Sequence, residues 1–257
     1  MFCKIELLPK RSISEEDAEE LIWTFLCSLW RNGQILKDYK LIKDKNYIMY
    51  VTFPKPDSFD EKYDGVYVKR DRKKINETYD CIITNLGENV ESTAYCECKK
   101  RTAIEMQTYS RDVDSAFICC DCGKPIAFYE LPFPADKEED YYLVQAWQDS
   151  YSSMDMLWVN CLCDRYTGNQ RVKPDSALNK QGIKIAEYMS GKLGYPVYYH
   201  LQCDYGNSAK AERIGNKQIH ICPKCTKLMK RIKISDDYEI DICEKCRLSY
   251  HTHGDIT

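Results

Sequence analysis

Four cysteines near the end of the chain carry the spacing of a metal site. Cys222-Pro-Lys-Cys225 and Cys243-Glu-Lys-Cys246 are both Cys-x-x-Cys turns, with 17 residues between them. A turn of this length aims two sulfurs at one point, and two such turns offer four thiolates to one tetrahedral zinc. Four thiolates close the coordination shell, so the chemistry this set supports is structural rather than catalytic. A second group lies mid-chain, in Cys96-Glu-Cys98 and Cys119-Cys-Asp-Cys122-Gly123. Its candidate ligands are Cys96, Cys98, Cys119 and Cys122, with Cys120 an alternative to Cys119. The first pair is one residue short of Cys-x-x-Cys, so a ribbon-like fold that buries small thiols without metal is the competing reading. Zinc is therefore the expected cofactor: one ion per chain at the C-terminal set, and a second if the middle set also fills.

Other chemistries leave no comparable mark. The chain has 4 histidines, and no Ser/His/Asp arrangement, phosphate loop or His-Glu-x-x-His. No catalytic residue and no small-molecule substrate is expected, and the chain reads as non-enzymatic. His251-Thr-His253 reads as solvated tail, and His220 as a neighbour of the Cys222 site. Cys161, Cys163 and Cys203 have no partners at metal spacing and read as reduced structural thiols.

The elements that must position these residues form an α+β protein. Residues 1–92 read as a split β-α-β-type domain. It has a strand from Phe2 to Leu8 and a helix capped by Ser14 and ended by Asn32-Gly33. Ala18, Ile22, Phe25 and Leu29 recur at helical spacing on one apolar face of that helix. Strands follow at Ile35–Leu41 and Tyr47–Phe53, giving the order of half a ferredoxin-like fold. The basic run Lys69–Lys74 reads as a solvated face. Residues 93–135 read as a zinc-ribbon-like module around the middle cysteines. Residues 136–205 read as helical. Asp136–Asp140 opens a helix with a Leu143, Trp147, Tyr151, Met154, Trp158 core stripe. Pro174-Asp-Ser176 opens another, ending before Gly191, and a tyrosine-rich strand, Pro196–Cys203, follows. Residues 206–257 read as the C-terminal zinc ribbon. Its hairpin strands are Met229–Ile234 and Tyr238–Ile242, with the turn at Ser235-Asp236-Asp237.

Composition sets the outer bounds. The 257 residues are 44% hydrophobic and 12% aromatic, enough for a sizeable core. The net charge of −3 excludes a surface basic all over. No membrane-length apolar run is present, and Lys4 and Glu6 interrupt the opening stretch where a secretory signal would be apolar. The 15 cysteines are thus expected in a cytoplasmic, reducing setting, where metal binding is commoner than disulfides.

Four blocks together resemble a bacterial family of zinc-ribbon-containing proteins of unknown function, described as candidate nucleic-acid binders. They are Cys119–Pro125 with Phe128–Pro132, Pro174–Leu178 with Gly182, Gly194–Leu201, and Cys222–Cys225 with Ile242–Leu248. The resemblance covers roughly the last 60% of the chain. It implies metal on the four C-terminal cysteines and no enzymatic activity. Members also resemble proteins encoded beside polymorphic toxins, which implies an immunity role as an alternative.

Two functions remain in play. Between residues 210 and 233 stand 8 basic residues against Glu212 alone. Lys224, Lys227, Lys230, Arg231 and Lys233 could follow a phosphate backbone. Against this, the second strand is acidic, with Asp236, Asp237, Glu239, Asp241 and Glu244, and the hairpin could pair its own charges. The alternative is a protein partner, such as a cognate toxin neutralised by this chain.

Overall fold

The computed structural model describes residues 1–110, 112, 114–203, 210–214, 217–235 and 238–252. Asp236 and Asp237 of the expected turn, and His253, lie outside the described residues. The chain divides into two compact units, one of Met1–Tyr95, Val113–Ser115 and Ala127–Leu143, the other of the remainder. The fold is mixed α+β, with an N-terminal sheet, helices in the middle and a C-terminal sheet bearing a cysteine cluster.

The first unit holds β1 (Phe2–Pro9), α1 (Glu15–Arg31), β2 (Lys40–Lys43), β3 (Tyr47–Thr52), α2 (Val66–Thr78) and β4 (Tyr79–Gly87). The strands form one antiparallel sheet in the order β2-β3-β1-β4. This β-α-β-β-α-β arrangement is the complete ferredoxin-like pattern, of which the sequence showed half. Ser14 caps α1, its side chain accepting from the Asp17 amide at 3.2 Å, and acidic residues fill the first turn where the helix dipole favours them. The buried face of α1 is Ala18, Ile22, Phe25, Leu26 and Leu29. It shares one core with Cys3, Ile5, Leu7, Met49 and Val51, the inward residues of β1 and β3.

Two expectations for this unit are corrected. Ile35–Leu41 is not a strand. Ile35 and Leu36 are buried as a connection, and β2 begins only at Lys40. Burial drew Ile35 and Leu36 inward, which an edge strand exposed to water would not do. The basic run is not uniformly solvated, because Arg72 is buried. Its guanidinium donates to both oxygens of buried Asp64, at 2.6 and 2.8 Å, and lies 4.2 Å over the Phe59 ring.

In the second unit, β5 (Ile104–Met106) and β6 (Phe117–Cys119) form a short hairpin. After α3 (Tyr142–Val159), α4 (Asp164–Val172) and α5 (Ala177–Leu193) comes β7 (Val197–His200). β7 runs parallel to β5, and a parallel neighbour needs a long crossover, which the three helices supply. The expected helix opening at Asp136 moves to Tyr142. Asp140 precedes it, accepting from the Tyr142 amide and pairing with Arg31 in the first unit's own stretch. α5 continues past Gly191 to Leu193 and ends at Gly194, whose φ of 75° suits a residue without Cβ.

The chain then makes a separate hairpin, β8 (Ala211–Ile214) with β9 (Lys217–His220), followed by β10 (Lys230–Ser235), β11 (Tyr238–Cys243) and β12 (Leu248–His251). The sheet order is β10-β11-β12-β7-β5-β6, with β12 parallel to β7. The expected ribbon hairpin is thus β10 and β11, extended by a third strand. That third strand corrects the reading of His251 as frayed tail, since His251 pairs with Ile240 at the end of β12.

Candidate metal centres

Both cysteine groups converge. The sulfurs of Cys222, Cys225, Cys243 and Cys246 all lie within 4.8 Å of one another, and so do those of Cys96, Cys98, Cys119 and Cys122. Cys225 and Cys243 Sγ are 3.6 Å apart, close to the edge of about 3.8 Å for a tetrahedron with Zn–S bonds of ~2.3 Å. Three of the four turns share one backbone device. The residue after the second cysteine has a positive φ: Gly123 at 70°, Thr226 at 57° and Arg247 at 54°. The amide of that residue donates to the carbonyl of the first cysteine, at 2.8, 2.9 and 2.8 Å for Gly123, Thr226 and Arg247. This closes the turn and leaves both side chains pointing the same way. Cys96-Glu-Cys98 is shorter, and the Cys98 amide instead donates to Cys96 Sγ at 3.4 Å.

In each cluster one thiol is held low, while burial and the neighbouring thiols push Cys98, Cys119, Cys222 and Cys246 up. The Lys227 amide, helped by the neighbouring thiols, holds Cys225 down at about 7. Burial pushes Cys96 up, but the Arg101 side chain and the Cys98 amide outweigh it and bring it to about 7. Cys120 is not part of the middle cluster. It is buried with Ala103, Tyr198, Ile234 and Ile240, and that burial pushes its thiol up. The donor sets therefore suit a metal that takes four sulfurs, and zinc fits them.

The five basic candidates of the ribbon fare differently. Lys224 and Lys227 are exposed on the first turn, with no ion pair among the described residues. Lys230 lies 3.2 Å from Glu244. Arg231 donates to both oxygens of buried Asp241, at 2.8 and 3.1 Å, and lies 3.7 Å from Glu239. Lys233 is exposed and opposite Glu239 in the ladder. Two of the strand's basic residues, Arg231 and Lys233, thus stand opposite acidic residues in the ladder, and Lys230 reaches Glu244 beyond it. The turns carry further exposed lysines that the sequence reading passed over: Lys245 in the second C-terminal turn, and Lys99, Lys100 and Lys124 beside the middle cluster.

His220 is fixed between two groups. Its Nδ1 is 2.7 Å from Asp241 Oδ2, and its Nε2 is 3.7 Å from Cys203 Sγ.

A third cluster has no motif. The register places Glu105 opposite Tyr198, and His200, two residues on, opposite Ser249. Side chains two apart share a sheet face, so Glu105, His200, Ser249 and His251 project together from β5, β7 and β12. Glu105 is fully buried, with Ser249 Oγ donating to Oε1 at 2.5 Å and the Tyr238 hydroxyl donating to Oε2 at 2.5 Å. His251 Nε2 is 3.2 Å from Oε2, and His200 Nδ1 is 3.7 Å from Oε1. Burial, with His251 nearby, pushes His200 down to about 4. Burial alone would raise Glu105, but the neighbouring His251 outweighs it and holds the carboxyl well below the usual range. Only one signal in the sequence could have hinted at this group, a glutamate at the centre of the apolar Ile104-Glu-Met106 strand.

No curated protein matches the chain. A family described as a domain of unknown function, DUF2310, matches residues 98–202. That span holds Cys98, Cys119, Cys122, Glu105 and His200, and it stops short of the C-terminal cysteines, which the resemblance read from the sequence included. Over residues 98–202, then, the chain is similar to DUF2310.

Proposed function

We propose that this chain is a zinc-stabilised protein that contacts nucleic acid chiefly through the lysines of its C-terminal thiolate cluster. One zinc ion sits on Cys222, Cys225, Cys243 and Cys246, and one on Cys96, Cys98, Cys119 and Cys122. Both ions are structural, because four thiolates leave no position for a substrate. The observation that carries the nucleic-acid reading is the exposure of Lys224, Lys227 and Lys245 at one cluster and of Lys99, Lys100 and Lys124 at the other, none in an ion pair among the described residues. At the C-terminal cluster their charge exceeds the net of about −2 on a zinc–thiolate centre, with Glu244 paired to Lys230. At the middle cluster exposed Glu97 and Asp121 offset it, so the C-terminal lysines carry the contact. Lysines on rigid turns can follow phosphates without reading bases.

The test is the salt dependence of binding to a single-stranded oligonucleotide. Replacing Lys224, Lys227 and Lys245 together by glutamine lowers the slope of log affinity against log salt by about 2. No binding at low salt, or an unchanged slope in the variant, contradicts the reading.

A protein partner, including a toxin neutralised by this chain, is the second reading, and one observation favours it. β4 is a sheet edge and exposes Ile82 (48%), Ile83 (45%) and Leu86 (48%), followed by Val90 at 97%. An apolar edge of this kind is suited to accept a partner strand.

A further inference from the structure

We propose that Glu105, His200 and His251 hold a third metal ion, a divalent first-row transition metal with an open coordination position. One carboxylate and two imidazoles are the donor set of open zinc and non-haem iron sites, which keep water or a small anion in the remaining position. The three donor atoms all lie within 4.8 Å of one another. The Glu105–His251 and Glu105–His200 separations of 3.2 and 3.7 Å bracket the edge of about 3.3 Å for a tetrahedron with ~2.0 Å bonds.

Two observations separate this cluster from a hydrogen-bonded network. Glu105 has no lysine or arginine paired with it among the described residues, although it is wholly buried. A carboxylate in that position needs a cation. His200 Nδ1, on a ring 4% exposed, has no hydrogen-bond partner and is aimed into the cluster. A network of hydrogen bonds would leave that nitrogen bare, whereas a metal ion takes it. The surroundings match the outer shell of such a site. The Tyr109 hydroxyl lies 2.9 Å from His251 Nδ1, which turns Nε2 toward Glu105 Oε2 and the Tyr238 hydroxyl, the latter 2.7 Å away. A bound ion would take Nε2 and leave Tyr238, with Ser249, to orient the carboxylate. Access comes from the His251 side, where the side chain is 21% exposed.

The experiment is a cobalt titration of the full chain, with total metal measured by elemental analysis. Cobalt bound by thiolates gives strong sulfur-to-metal charge transfer, and cobalt bound by nitrogen and oxygen gives only weak visible bands. The expected result is a third equivalent that adds weak bands and no charge transfer. That equivalent is lost in Glu105→Gln and in His251→Gln, each weakening the third ion by more than about 100-fold, while Ser249→Ala weakens it by about 10-fold. The thiolate bands stay unchanged in all three, which also reports that each variant is folded. A chain that takes up no metal beyond its thiolate-bound ions, or variants that retain the extra equivalent, overturns the proposal.

Discussion

The guanidinium of Arg231 lies 2.8 Å from the carboxylate of Asp241, directly across the ladder between β10 and β11. Asp241 is fully buried and also takes the His220 amide and imidazole, so Arg231 is held as part of the hairpin. Arg231→Gln is therefore expected to leave oligonucleotide affinity within about twofold, while the Lys224, Lys227 and Lys245 triple variant weakens it at low salt. The same change lowers hairpin stability, because Asp241 is left buried with less charge compensation, by about 1–3 kcal/mol. Fluorescence anisotropy and chemical denaturation read the two effects separately.

The zinc ligands act locally. Structural zinc contributes on the order of 10–16 kcal/mol of apparent binding energy in small peptides, more than a three-stranded hairpin supplies from its own core. Cys225→Ser is expected to strip hydrogen-exchange protection from β10 and β11 while the strands bearing Ile5 and Met49 keep theirs. Those strands belong to a separate core made by β1, β3 and α1. Equal loss in both regions contradicts this.

Gly182 lies where α5 meets β7 and α3. A Cβ there would stand 2.1 Å from Tyr199 Cε2 and 2.6 Å from Trp147 Nε1, two fully buried rings. Gly182→Ala is expected to destabilise the second unit by at least about 1–3 kcal/mol. Thermal unfolding of the zinc-loaded chain measures it.

Arg72 and Asp64 form a buried pair in the first unit. Arg72→Met alone leaves a bare carboxylate and is expected to cost about 3–5 kcal/mol in urea denaturation. Adding Asp64→Asn should recover part of that loss. A double variant no better than the single one would show that the lost guanidinium–Phe59 stacking, not the bare charge, sets the cost.

The cysteine clusters were legible because their spacing is itself the chemistry: two residues between sulfurs make a turn that shares one ion. Helix α1 was legible for a similar reason, since its cap and its apolar face are local patterns. Ile35 and Leu36 misled because an apolar run is the same on paper whether it pairs as a strand or is buried in a connection. Arg72 was hidden in a run of like charges, because only the fold brings Asp64 beneath it. The Glu105, His200 and His251 cluster could not be read at all. Its members lie 95 and 51 residues apart, and only the parallel pairing of β5, β7 and β12 aligns them. Single histidines carry no spacing, and a tail assignment for His251 removed the third member. An open site there would also widen the function beyond the two closed thiolate centres, which offer nothing to a small ligand.

The most direct test of the account is the thiolate signal in the cobalt titration. Charge-transfer intensity is predicted to rise to two equivalents per chain and then stop. Cys122→Ser and Cys246→Ser should each disrupt one of the two centres and leave the other intact. Saturation at one equivalent, or a single variant that removes both centres, would contradict two independent four-cysteine sites.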